Sequence, residues 1–158
     1  MILDLDTLAG RLLKRRMTIA TAESCTGGLL GAALTSVPGS SAWYRGGLVV
    51  YSDDLKVRLA GVRADTLDSR GAVSPEVACE LAGGARRLCR ADLGVGITGI
   101  AGPGGGTEDK PVGTVCIAVA SGGEVLDWTI RLPGDREEVR QATVRFVLAR
   151  VGEMIDAC

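Results

Sequence analysis

The chain has 158 residues, about the size of one ordinary domain. Apolar residues make up 46% and charged residues 23%, enough for one core and too apolar for a disordered chain. The net charge of −1 argues against a sequence-independent nucleic-acid binder, and the absence of histidine excludes Ser-His and Cys-His nucleophile pairs, His-ligated zinc and a His general base.

In chain order, residues 4–16 predict an amphipathic helix, with Leu5, Leu8, Leu12 and Leu13 on one face and Arg11, Lys14, Arg15 and Arg16 solvated. Residues 17–22 read as a short strand. It leads through Glu23-Ser24-Cys25-Thr26-Gly27-Gly28 into an apolar segment, residues 29–37, that reads as helix. Strand, small-residue turn and helix in succession is a common way for an α/β fold to present a binding loop. Pro38-Gly39-Ser40-Ser41 is a turn and residues 47–51 a buried strand. Ser52 and Asp53 both suit the cap of a short helix carrying Lys56 and Leu59.

Ser74-Pro75-Glu76 starts a helix that runs to about Arg90. Gly83-Gly84 in its middle weakens it by roughly 1 kcal/mol per glycine relative to alanine, so the pair reads as a device for close packing. Residues 93–98 form another strand, followed by a glycine-rich loop, residues 99–106. Residues 112–120 and 125–131 read as a hairpin, which makes the sheet mixed. Asp135 and Glu138 have capping-box spacing at the start of a last helix, whose stripe is Val144, Leu148, Val151 and Ile155. The expected fold is a three-layer α/β/α sandwich with a mixed central sheet, one domain over residues 1–158.

Cys25, Cys79, Cys89, Cys116 and Cys158 form no CxxC pair and are odd in number. With no signal-peptide pattern, that predicts reduced thiols in a cytoplasm. No apolar run approaches the roughly 20 residues of a membrane span.

Three loops combine glycine with hydroxyl or charged groups: residues 23–28, residues 38–41 with 51–56, and residues 98–110. Their N–H groups suit anions, above all where a helix begins. The long loop matches neither a Walker A motif nor the dinucleotide fingerprint. Without histidine, a serine nucleophile needs another activator, such as a lysine. Tyr51 and Lys56, five residues apart, suit one cleft at a sheet edge, with Ser41 reaching it from the preceding turn. Each residue alone has a plainer reading: Ser24 and Thr26 as helix caps, Tyr51 as a core aromatic, Lys56 and Arg136 as solvated charges.

The strings Thr21-Ala22-Glu23-Ser24-Cys25-Thr26-Gly27-Gly28, Pro38-Gly39-Ser40-Ser41-Ala42-Trp43-Tyr44, Gly71-Ala72-Val73-Ser74, Thr98-Gly99-Ile100-Ala101-Gly102-Pro103-Gly104-Gly105 and Lys110-Pro111-Val112-Gly113-Thr114-Val115 occur in one order. Together they closely resemble the CinA C-terminal domain family, the nicotinamide-nucleotide amidases, over roughly residues 5 to 155. The resemblance implies hydrolysis of the carboxamide of nicotinamide mononucleotide to nicotinic acid mononucleotide and ammonia, on an α/β/α fold. It implies a stand-alone amidase in the cytoplasm, a homo-oligomer with a dimer favoured, and no metal or cofactor. Nucleic acid and membrane are not expected partners.

Carried over by position, the resemblance assigns Ser41 as nucleophile, Lys56 as base and Tyr51 beside it. Ser24, which stands in an equally strong motif, is the other candidate nucleophile. Ser24, Thr26, Gly27, Thr98, Gly99 and Arg136 are assigned to substrate binding. The substrate phosphate would take Arg136 or the Thr26-Gly27-Gly28 turn. Cys25 is a minor alternative nucleophile. Many relatives read Tyr-Ser-Asn where this chain has Tyr51-Ser52-Asp53. The added negative charge favours an ammonium at Lys56 and opposes a base role unless the carboxylate points away. The competing expectation is a pyridine-nucleotide-binding module without turnover.

Overall fold

The computed structural model describes residues 4–157; Cys158 lies outside them. Among these residues the order is α1 (Leu5–Arg15), β1 (Ile19–Glu23), α2 (Leu29–Thr35), a 3-10 turn (Ser40–Ala42), β2 (Tyr44–Val49), α3 (Asp53–Arg58), α4 (Ala64–Arg70), α5 (Pro75–Cys89), β3 (Leu93–Gly99), β4 (Thr114–Ala120), β5 (Val125–Arg131) and α6 (Arg136–Ala157).

The predicted caps form as written in the sequence. Ser52 accepts from the Leu55 N–H at 3.2 Å to start α3. Ser74 accepts from Val77 N–H at 3.3 Å, with Pro75 in the first turn of α5. Asp135 N–H donates to Glu138 Oε2 at 2.7 Å while Glu138 N–H donates to Asp135 Oδ1 at 2.9 Å, a reciprocal capping box. Two elements differ from the sequence reading. Helix α4 was not anticipated, because Ala64-Asp65-Thr66-Leu67-Asp68-Ser69-Arg70 carries one large apolar residue and so no stripe. Strand β2 begins at Tyr44 rather than Gly47, since the glycines at its centre hide the strand pattern.

The five strands form one mixed sheet in the order β2-β1-β3-β4-β5. β1 runs parallel to both β2 and β3, while β3-β4 and β4-β5 are antiparallel. Helices cover both faces, as the three-layer expectation requires. On one face Ile19, Val95, Ile97, Val115, Ile117 and Val119 pack with Leu8, Leu12, Leu30 and the α6 stripe. On the other, α5 lies on Ala20, Ala22, Cys116, Ala118 and Ala120. Strand glycines bring this helix close: a methyl at Gly94 or Gly96 would strike the Ala82 or Ala78 carbonyl of α5. Gly84 does the same from the helix, where a methyl would strike the Ala60 carbonyl. Gly83 meets only the flexible end of Arg87, so one glycine of the pair performs the close packing. Among the described residues, no helix is long and apolar enough to cross a membrane.

The topology locates the site. After β1 the chain turns one way to β2, then crosses over to β3 on β1's other side. The two crossovers diverge at the carboxyl end of β1, which opens a crevice there, the usual ligand position in open α/β sheets.

Candidate active site

A cleft of about 270 Å³ occupies that crevice, towards the lower end of small-ligand sites. Its walls come from four places: Ser24 and Cys25 after β1, Tyr51, Asp53 and Lys56 after β2, Thr98 and Gly99 at the end of β3 with the glycine-rich loop beyond, and Arg136 at the start of α6. Ala72 and Val73 close one side. The Thr98 hydroxyl donates to the Ala72 carbonyl at 2.7 Å, joining that wall to β3.

Lys56 is 2% exposed, which removes the plain reading of a solvated lysine. Its Nζ donates to the Tyr51 carbonyl at 3.2 Å and to Asp53 Oδ1 at 3.4 Å. Asp53 therefore does not point away, although its own side chain is largely in water. Tyr51 is 60% exposed, a rim residue rather than core. Its hydroxyl accepts from Arg136 Nη2 at 3.0 Å, and Arg136 Nη1 donates to the Gly102 carbonyl at 2.8 Å. The arginine is thereby held across the mouth of the cleft. Ser24 is buried; among the described residues no protein group hydrogen-bonds its hydroxyl. The adjacent Cys25 is a poor nucleophile, because burial pushes its thiol up to about 11 and Glu23 adds to the rise.

The cleft brings together Ser24, Tyr51, Lys56, Thr98, Gly99 and Arg136 of the expected residues. Three others lie outside it. Ser41 does not line it. The 3-10 turn that holds Ser41 precedes β2, and Ile19 N–H at the start of β1 donates to the Trp43 carbonyl at 2.8 Å. Ser24 follows the far end of β1, so a strand length, roughly 17 Å at 3.3 Å per residue, separates the two serines. Thr26 is fully buried and Gly27 faces out, and neither lines the cleft. The anion position that their turn was expected to offer is taken by the chain's own Glu23. Glu23 Oε2 accepts from the Thr26 hydroxyl at 2.6 Å and Gly28 N–H at 3.2 Å. Sequence reading overlooked Glu23, although it is the one acid ending an otherwise apolar strand beside a glycine turn. It also overlooked Arg140, whose spacing of four from Arg136 puts both on one helix face.

No group of three or more Asp, Glu or Cys that could hold a metal ion is present among the described residues. What the cleft offers is a free hydroxyl, a buried amine, an arginine and a glycine-rich backbone. These features define an open α/β protein with a cleft at the switch point of its sheet.

The chain belongs to the CinA C-terminal domain family, whose profile matches residues 5–155. It is 59% identical over 132 residues to a CinA-like protein of Mycobacterium sp. (strain JLS), covering 83% of this chain and 31% of that protein. It is 48% identical over 160 residues to a CinA-like protein of Chlorobaculum tepidum, covering 94% and 37%. The chain thus spans about a third of the length of these relatives. The crystal structure of a CinA superfamily protein from Klebsiella pneumoniae superposes with a TM-score of 0.92 at 39% identity, covering 96% of this chain and 94% of that one. A competence/damage inducible protein from Agrobacterium tumefaciens gives 0.87 at 43% identity, with 98% and 95% covered.

Proposed function

We propose that this chain is an amidohydrolase that converts nicotinamide mononucleotide to nicotinic acid mononucleotide and ammonia, with Ser24 rather than Ser41 as nucleophile. The observation that carries the reading is the convergence of Ser24, Lys56 and Arg136 on one cleft. Lys56, as the free amine, takes the Ser24 proton while Oγ attacks the carboxamide carbon. The carbon–nitrogen bond then breaks and the lysine returns the proton to the departing ammonia. Water attacks the resulting ester, giving its proton to Lys56 and restoring the serine. Backbone N–H groups of the glycine-rich loop are suited to the oxyanion. The substrate phosphate suits the Arg136 guanidinium, whose flat fork matches phosphate oxygens. The same reading makes the protein cytoplasmic and a homodimer, independent of nucleic acid, metal and cofactor.

The test is ammonia release from nicotinamide mononucleotide by purified protein beside Lys56→Ala, with nucleotide binding measured in parallel. Turnover by the wild type that drops at least 1,000-fold in the variant supports the amidase, since the variant lacks its base. Nucleotide binding without ammonia from the wild type would replace the enzyme by a binding module.

A further inference from the structure

One buried acid takes no part in that chemistry. Glu23 is 1% exposed, and among the described residues no cation pairs with it. Beyond Thr26 and Gly28, its carboxylate accepts from Leu30 N–H at 3.1 Å and Gly31 N–H at 2.8 Å. Every neighbour is a donor, so a group that only accepts is the one that fits. Arg140 grips the same turn from the other side. Its Nε donates to the Cys25 carbonyl at 3.3 Å and its Nη2 to the Thr26 carbonyl at 3.1 Å, while Nη1 pairs with Glu137 at 2.6 Å. The turn thus lies between a negative charge facing its N–H groups and a positive charge facing its carbonyls.

We propose that Glu23 and Arg140 are positioning residues that aim the Ser24 hydroxyl at Lys56. This rests on the reading of Ser24 as nucleophile. Three facts support it. The hydroxyl has no hydrogen bond of its own among the described residues, so only its backbone sets where it lies. That backbone continues into Gly27 and Gly28, both at positive φ, the least restrained part of the turn. Ser24 N–H donates to the Ile97 carbonyl at 3.0 Å, and the two charged groups hold the part of the turn beyond it, where the glycines give least restraint. A displacement of about 1 Å costs a reacting group roughly 100-fold in rate. Glu23 also sets specificity: by filling the N–H groups at the start of α2 it removes the competing anion position, leaving Arg136 for the phosphate. Arg140 stands one helical turn beyond Arg136, so α6 carries both the phosphate-side arginine and the clamp on the nucleophile's turn.

A mere stabilising cap would change melting temperature and nothing else. The experiment therefore compares Glu23→Gln and Arg140→Met with Leu148→Ala, a core change on α6 that lowers stability at a distance from the turn. Glu23→Asp, which keeps the charge on a shorter arm, stands in if Glu23→Gln does not fold. Three quantities are measured: melting temperature, kcat and KM for nicotinamide mononucleotide, and the rate at which a sulfonyl fluoride labels Ser24, followed by mass spectrometry. Positioning predicts kcat lower by roughly 30- to 100-fold with KM within about threefold, and labelling slowed in step, in both charge variants and not in Leu148→Ala. Rates that follow melting temperature alike in all three variants overturn it. Labelling of wild-type Ser24 without ammonia release would sink the amidase reading, and the labelling ratios would still decide the positioning role. An unlabelled Ser24 with a fully active Ser24→Ala would overturn both.

Discussion

The turn after β1 and the turn before β2 each set a serine among small residues. The first carries Ser24, Cys25 and Thr26, all buried, and its backbone is held by Glu23 and Arg140. The second carries Ser41 and Ala42, both exposed, and its 3-10 turn closes with backbone hydrogen bonds alone. Because β1 and β2 are parallel, a turn that ends one strand and a turn that begins its neighbour face opposite ends of the sheet. The difference teaches that strand direction, rather than local composition, decides which serine shares the lysine's cleft. Lys56 follows β2, so among the parallel strands β1, β2 and β3 only residues that follow a strand share its end.

The sharpest way to break this comparison is to remove each hydroxyl in turn. Ser24→Ala should lower ammonia release from nicotinamide mononucleotide by at least about 1,000-fold, as loss of a covalent nucleophile does. Ser41→Ala should stay within about twofold of the wild type, because an exposed serine outside the cleft loses only surface contacts. Equal losses would mean that the second turn reaches a cleft in another copy of the chain.

The thiol next to Ser24 sharpens the contrast between a closed turn and an open one. Burial raises Cys25 from 9.0 to about 11, so its thiolate is scarce at pH 8. Alkylation by iodoacetamide at pH 8 should be roughly 100-fold slower in the native protein than in the unfolded chain, read by peptide mapping. The sign for stability follows. A folded-state value above the unfolded one favours folding fully below about pH 9, and that contribution fades as pH rises through about 11. Native alkylation as fast as unfolded would show that the turn opens and that Glu23 and Arg140 do not hold it.

Much of the fold was legible because its signals are local. Ser52, Ser74 and the Asp135–Glu138 pair are capping residues whose hydrogen bonds span three positions. The hairpin of β4 and β5 follows from two strand-like runs joined by the short Ser121-Gly122-Gly123-Glu124 turn. The site was half legible for the same reason. Both serines stand in recognisable strings, but which of the two shares the lysine's end depends on crossovers that no short window contains. The Thr26-Gly27-Gly28 turn misled in a related way. A glycine-rich helix start does attract an anion, and here the anion is Glu23 of the same chain. Glycine composition shows the donors and not their occupant. The small residues of β3 and β4 were legible as strand, while their purpose, the close approach of α5, required the packed structure.

A modest expected effect concerns Asp53, which sits on the lysine's side of the comparison and has no counterpart at the second turn. Its carboxylate is 3.4 Å from the Lys56 ammonium and is the one acid paired with it among the described residues. That attraction favours the charged amine, whereas proton abstraction needs the neutral one. Water around the exposed carboxylate screens the pair, so the effect is modest. Asp53→Asn keeps the side-chain shape and removes the charge. Ammonia release from nicotinamide mononucleotide at pH 7 should then rise by about two- to fivefold. A rate that falls instead would give the carboxylate a different part, that of steering the lysine into place rather than holding its proton.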